Sequence, residues 1–281
     1  MDWTEIVGLL GIGFAAGTFG SMLGGGGGVL VVPFLTLILH LPLHTAIATS
    51  FVAIIATSSA AATTCLKSRL VNIRLGLMLE LATVAGTVMG ALLAVYLHAN
   101  VLGVIFGGFL LSMGLHMLLR RQSEGLLSLE SADATKQESS LAGSYRDHSS
   151  GNLVSYVPNH IPQGLAASLV AGGMSGLLGI GGGIVKVPVM NLVMHVPMKA
   201  SAATSSYMIG ITALSGAIVF FAQGYLMPVT VAFVVIGACL GGQVGSRLAQ
   251  RMPVALLKRI FAIVLLGIAI IMVIQGVSGE L

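Results

Sequence analysis

The chain has 281 residues, 56% of them hydrophobic and 8% charged, with a mean hydropathy of +1.00. That excludes an ordinary soluble domain, in which roughly a quarter of residues carry charge. The net charge of +4 would suggest nucleic acid in a soluble protein, but here the basic residues have an explanation in membrane topology, and no nucleic-acid partner is expected.

The opening MDWTEI is acidic, unlike the positively charged start of a secretory signal, so no cleaved signal is expected. Residues 6–23 form an apolar run that either just spans a bilayer or dips in and returns. In the stretch GSMLGGGGGVLVVP, residues 20–33, five consecutive glycines interrupt the apolar sequence. The following run, 29–41, makes a helix of about 20 Å, too short for about 30 Å of hydrocarbon, and reads as a half-helix. Longer apolar runs follow at 44–66, 75–97 and 101–119. Within them Thr49 and Ser50 lie roughly 8 to 9 Å along their helix. Glu80 is the sole acid inside an expected span, a candidate either to carry a coupling proton or to pair with a cytoplasmic Lys or Arg. Gly86 and Gly90, four residues apart, suit close helix packing. From about 120 to 160 the composition turns to Ser, Glu, Asp and Gly, which reads as a solvated linker.

Beyond the linker the chain repeats itself. AGTFGSMLGGGGGVLVVPFLTLILHLPLHTAIATS, from Ala16, aligns without a gap on AGGMSGLLGIGGGIVKVPVMNLVMHVPMKASAATS, from Ala171. Gly26, Gly27, Gly28, Pro33, His40, Pro42, Thr49 and Ser50 fall on Gly181, Gly182, Gly183, Pro188, His195, Pro197, Thr204 and Ser205. The same offset places Gly86 and Gly90 on Gly241 and Gly245. Further apolar runs at 203–222, 228–248 and 255–275 complete the second copy. Backbone groups in lipid must be satisfied internally, so runs of this length are helices.

Lys and Arg sort the loops by side. In the first copy Lys67, Arg69 and Arg74 follow the run ending near 66, YLHAN carries none, and Arg120 and Arg121 follow the run ending near 119. In the second copy AQGYLMP and QGVSGEL carry none, whereas RLAQRMPVALLKR carries four. The two copies are therefore expected to face opposite ways, with both termini outside, the linker cytoplasmic and Lys186 the one basic residue off the cytoplasmic side. The expected architecture is an all-α polytopic membrane protein of two inverted repeats, 1–119 and 161–281, joined by a linker at 120–160. Each repeat holds a Gly-broken or re-entrant helix pair and three full transmembrane helices.

Broken helices paired in inverted repeats point to a transporter's substrate site. Glycines at the break leave backbone N–H groups uncovered at the positive end of a half-helix, which suits an anion; the alternative is that they only permit close packing. The doubled pattern, Gly-x-Gly-Gly-Gly, an apolar run, Pro and a later Ala-Thr-Ser, resembles the TauE/SafE family of membrane transporters, named for sulfite export. The resemblance covers both repeats and implies transport of sulfite, sulfonates or related sulfur-containing anions in a prokaryotic or plant-type membrane, of which a prokaryotic inner membrane is the expected one. The first copy departs from the pattern by placing Gly25 where the second has Ile180.

The candidate substrate-binding residues are Gly26, Gly27, Gly28, Thr49, Ser50, Gly181, Gly182, Gly183, Lys186, Thr204 and Ser205. Each Thr-Ser pair is expected level with the opposite copy's glycine loop, so that both loops and both pairs line one cavity. Lys186, whose counterpart is Val31, either compensates the anion or snorkels to the interface. His40 and His195 read as capping or interfacial residues, and Gln243 and Asn191 as path-lining or interhelical amides. Cys65 and Cys239 offer no disulfide or metal-ligand spacing, and no cofactor or metal is expected. The spans hold no paired carboxylates or nucleophile-base pair, which argues against an enzyme. The function expected is secondary transport of a small sulfur-containing anion, in the export direction, coupled to H⁺ or Na⁺. The alternatives are a passive anion channel, or a membrane-integral sensor or enzyme.

Overall fold

The computed structural model describes residues 3–23, 27–67, 71–119, 141–146, 153–249 and 254–279. The first half contains α1 (Trp3–Leu23), α2 (Gly28–Leu37), α3 (Leu43–Lys67), α4 (Ile73–Tyr96) and α5 (Ala99–Leu119). A short hairpin follows, β1 (Gly143–Arg146) and β2 (Leu153–Tyr156). The second half contains α6 (Ile161–Leu178), α7 (Gly183–Pro188), α8 (Met198–Ala222), α9 (Pro228–Ala249) and α10 (Val254–Ser278). Every long apolar run in the sequence has become a helix. Ile73–Tyr96, Ile161–Leu178, Ala200–Ala222 and Pro228–Gly245 are long and apolar enough to cross a membrane among the described residues.

The first segment of each half is one unbroken helix. At 1.5 Å per residue, the 21 residues of α1 reach about 31 Å and the 18 of α6 about 27 Å. The half-helix that follows is shorter than its apolar run: α2 has 10 residues, about 15 Å. In the second half α7 has 6 residues, and at Pro188 the coil widens into a five-residue π-helical turn, Val189–Val193. Proline cannot donate to the preceding turn, and its ring crowds that turn's carbonyl, which is a sufficient cause for the irregularity.

Both half-helices end alike. His40 and His195 take positive φ, 51° and 56°, and the residue after each donates its N–H six residues back: Leu41 to Leu35 at 3.1 Å, Val196 to Met190 at 2.9 Å. The bond is one residue wider than the 6→1 bond of a Schellman motif, the left-handed position is held by histidine where glycine is usual, and the proline that follows keeps the helix from resuming. Of the capping and interfacial roles open to the pair at 155-residue spacing, the backbone shows both histidines at helix ends.

Helix pairing is reciprocal across the two halves. α1 packs along α9 and α4 along α6, while α5 packs along α10 and α3 along α8. The spaced glycines sit in these seams. A Cβ on Gly86 would strike the carbonyl of Leu169, and one on Gly241 the carbonyl of Phe14. Gly90 meets Gly173 and Gly245 meets Thr18 in the same way. Each contact in one seam has its partner 155 residues away in the other. The absent side chains bring the helix backbones together, as small residues do between membrane helices.

The linker holds more structure than its composition suggests. β1 and β2 pair antiparallel with Gly143 opposite Tyr156. Tyr145 and Tyr156 are buried, in a cluster with Leu75 and Leu79 of α4, Met190 of the π turn, Met194 just after it, and Met208 of α8. Asn72 ties the hairpin to α4: its side chain accepts from Leu75 N–H as the helix N-cap and donates to the Leu141 carbonyl at 2.9 Å. The remaining core is one large cluster in which Phe51, Phe106 and Phe220 are fully buried.

Candidate functional site

Glycine opens both half-helices for a conformational reason. Gly27 and Gly182, the residues before α2 and α7, have φ of 77° and 70°, a region open to glycine at no steric cost. Each carbonyl then starts its helix, accepting from Leu30 at 3.1 Å and from Val185 at 3.2 Å. Gly179 and Gly181 also have positive φ, 68° and 75°, so the second loop is left-handed at three of its four positions from Gly179 to Gly182. The first turn of a helix has N–H groups with no acceptor inside the helix, and here both such ends are buried.

The two loops meet. A Cβ on Gly28 would lie 2.7 Å from the Gly179 carbonyl oxygen, so the start of α2 rests on the end of α6. The Ser50 hydroxyl lies 2.8 Å from that same oxygen and 2.8 Å from the Ile47 carbonyl, donating in place of a helix N–H where the chain turns. Ile54 and Ile209, 155 residues apart, close over the glycines: a Cβ on Gly28 would strike Ile54, and one on Gly183 would strike Ile209. Both isoleucines are buried.

The four hydroxyls at the recurring Thr-Ser positions are fully buried but have four different fates. Thr49 donates to the Thr45 carbonyl at 2.8 Å, an ordinary helical back-bond. Ser50 reaches across to the second half's loop. Thr204 accepts from the Asn72 N–H at 3.1 Å, on the hairpin side of the bundle. Ser205 has no hydrogen-bond partner and faces its own half's loop, 3.3 Å from where a Gly183 Cβ would stand. Of the four hydroxyls expected at the opposite copy's loop, only Ser50 bonds to it; Thr49 and Thr204 bond elsewhere and Ser205 lies against its own half's loop. Gly27, Gly28, Gly181, Gly182 and Gly183 are all buried at the centre; Gly26 lies outside the described residues.

Lys186 does not snorkel. It is 2% exposed, and its Nζ donates to Glu80 Oε2 at 3.0 Å and to Thr212 Oγ1 at 2.7 Å. Thr212 in turn donates to Glu80 Oε1 at 2.5 Å. Glu80, itself 3% exposed, thus pairs with a lysine inside the bundle instead of a cytoplasmic one. The triad joins α4 of the first half to α7 and α8 of the second.

Four residues of the centre escaped the sequence. Thr212 is a helix threonine among many, and its partners are 132 and 26 positions away. Ser175 is buried without a partner, with its Cβ 3.4 Å from a Gly182 Cβ position. Its counterpart is Gly20, so the repeat alignment held the signal: like Lys186 against Val31, it is a polar residue on one side only. Ile54 and Ile209 were simply two apolar residues in apolar runs. Asn191 donates to the Val196 carbonyl at 2.9 Å, a local bond, and Gln243 is exposed on α9. Among the described residues no three His, Cys, Asp or Glu side chains converge as metal ligands.

Two cavities among the described residues are lined by neither glycine loop and by none of the Thr-Ser positions. One of about 330 Å³ is lined by Thr36, His40, His44, Ala99 and Gln275; the other, about 200 Å³, by Asn72, Arg74, Gly143 and Tyr156.

The profile of the family described as sulfite exporter TauE/SafE matches residues 9–272. The chain is 28% identical to a probable membrane transporter protein, YunE, of Bacillus subtilis, over 95% of this chain and 96% of that one. It is 30% identical to the probable membrane transporter protein MamO of Paramagnetospirillum magneticum, over 95% of this chain and 44% of the relative. A second Bacillus subtilis protein, the probable membrane transporter YdhB, is 25% identical over 87% of this chain and 91% of its own length. No solved structure matches the chain.

Proposed function

We propose a substrate and a mechanism for this chain, which belongs to the sulfite exporter TauE/SafE family and is an integral membrane transporter, not an enzyme. It carries a small sulfur-containing oxyanion, sulfite or a sulfonate, outward across a prokaryotic inner membrane, by alternating access coupled to H⁺ or Na⁺. The observation that carries this reading is the meeting of the two glycine loops, with Gly28 and Ser50 both against the Gly179 carbonyl. A substrate held there touches both halves at once, so a rocking of one half on the other exposes it to each side in turn.

In this reading the repeats are inverted, both termini are outside and the hairpin lies on the cytoplasmic side, which the Lys and Arg distribution supports. The buried loop N–H groups and hydroxyls recognise the oxyanion through dipoles fixed in a buried centre. The packing of Ile54 and Ile209 over the loops favours a carrier over a passive channel, because a channel keeps an open path.

Counterflow in proteoliposomes tests the proposal. Labelled sulfite should enter faster when unlabelled sulfite is trapped inside, and thiosulfate, sulfoacetate and sulfate should compete according to fit. A purely conductive response, with no acceleration by trapped anion, refutes the carrier.

A further inference from the structure

The second glycine loop carries polar groups that the first lacks. Around Gly182 and Gly183 stand Ser175, Ser205 and the stem of Lys186, whose Cε lies 3.6 Å from a Gly182 Cβ position. Ser175 and Ser205 are fully buried and bond to nothing, although buried hydroxyls in proteins are nearly always paired. At the matching places the first half has Gly20, Ser50 and Val31, and Ser50 is already committed to carbonyl oxygens. Two unspent hydroxyls and an ammonium therefore share one buried corner, on one side of the pseudo-symmetric centre.

The ammonium is held by Glu80. One buried cation cannot offset two buried anions, since an uncompensated charge in such a place is strongly disfavoured. An entering oxyanion and the Glu80 carboxylate must compete for Lys186 and for the Thr212 hydroxyl. A proton removes the competition.

We propose, resting on the anion-transporter reading above, that the anion binds at the second loop to Ser175, Ser205 and Lys186, and that it does so together with one proton taken by Glu80. The Glu80 carboxylate becomes a carboxylic acid and releases the ammonium, and Lys186 stays charged and turns to the anion. Thr212 Oγ1, now free to accept, takes the hydrogen bond that the acid donates. For a singly charged anion the net charge of the centre is the same before and after. Proton and anion then travel in the same direction, and the pair returns to its closed form when both leave.

The surroundings of Glu80 leave the proton no rival there. Among the described residues its hydrogen bonds go to Lys186 and Thr212. On the elements packed around it, α6 carries no charged residue, α4 carries Arg74 exposed in its first turn, and α8 carries Lys199 in its first turn and the half-buried Tyr207. The hairpin adds Arg146 and the phenols of Tyr145 and Tyr156.

The test uses the purified full chain in detergent, with binding of sulfite, thiosulfate, sulfoacetate and sulfate read by thermal stability shift across a range of pH. Thiosulfate and sulfate do not themselves titrate near neutrality. Where Glu80 is ionised, affinity should fall about tenfold per pH unit, the slope of a one-proton linkage. Glu80→Gln should flatten that slope, and at mildly alkaline pH the anion should stabilise it more than it stabilises the parent, because Lys186 then lacks its counter-charge. Ser175→Ala with Ser205→Ala removes hydroxyls that bond to nothing, so it should fold as the parent does. It should weaken anion binding roughly tenfold or more per hydroxyl with the pH slope intact. Binding with no pH dependence, or a slope that survives Glu80→Gln, overturns the proton step. Undiminished affinity in the serine double variant overturns the location. Failure of all four anions to bind refutes the underlying reading, an outcome distinct from the other two.

Discussion

Removing one member of the Glu80–Lys186 pair should cost far more than removing both. At 3.0 Å, two unit charges attract by about 5 to 6 kcal/mol at an effective dielectric constant near 20. Both side chains are almost wholly enclosed, 1% and 4% exposed, so desolvation offsets most of that gain and the pair as a whole is worth little. A single truncation leaves the other charge enclosed without a counter-ion, a loss of about 3 to 5 kcal/mol. Lys186→Met and Glu80→Gln should each lower stability by that amount, whereas the double variant, neutral and similar in volume, should lie within about 1 to 2 kcal/mol of the parent. The assay is reversible unfolding of the purified protein in mild detergent, by heat or by titrated denaturing detergent, for all four members of the cycle. Single losses that simply add in the double variant would refute the reasoning, as would a Lys186→Met protein as stable as the parent.

Other sites give expectations of different kinds. Gly86→Ala and Gly241→Ala place a methyl against a backbone carbonyl that cannot move aside, so each should destabilise by about 1 to 3 kcal/mol, while Gly108→Ala, with open space around it, should fall within about 0.5 kcal/mol; thermal unfolding compares them. Ser50→Ala strips the buried Gly179 carbonyl of a donor and should cost about 1 to 3 kcal/mol, with a larger fractional loss of counterflow than of folded protein. Burial holds the Tyr156 phenol above its ordinary value of 10.0. The folded protein thus keeps that proton longer than the unfolded chain, so this contribution is complete below the unfolded value and is lost as pH climbs through the folded one. The hairpin should therefore undock at strongly alkaline pH, seen as a late tyrosinate absorbance step coincident with new proteolytic cleavage between β2 and α6. Tyr156→Phe should remove its share of that step.

The architecture was legible where chemistry repeats locally. Apolar runs fix helices, and a 155-residue offset that matched Gly27 to Gly182 and His40 to His195 reappears as matched left-handed φ values and matched cap bonds. The seam glycines were equally plain, because four-residue spacing on one helix face means a close approach to something. The half-helices came out shorter than their apolar runs because a left-handed histidine ends each one before the hydrophobicity does. What the sequence hid was association across the bundle. Glu80, Lys186 and Thr212 lie on three helices, and an acid or a base read alone carries no mark of its partner. The hairpin was hidden because its strands are four residues each in a polar segment, and its stability comes from Leu75, Met190 and Met208, far away in the chain.

The reciprocal pairing of α1 with α9 and of α4 with α6 also bears on how the molecule is made. Helix α1 leaves the ribosome with its notched face bare, and at translation rates of about 5 to 20 residues per second its mate follows on the order of ten seconds or more later. Neither half can complete its own seams. Until the second half is made, the glycine-lined faces of α1 and α4 lack the helices that fill them in the finished fold. Covalent continuity between the halves limits how far the late-arriving helices can stray from the grooves they fill.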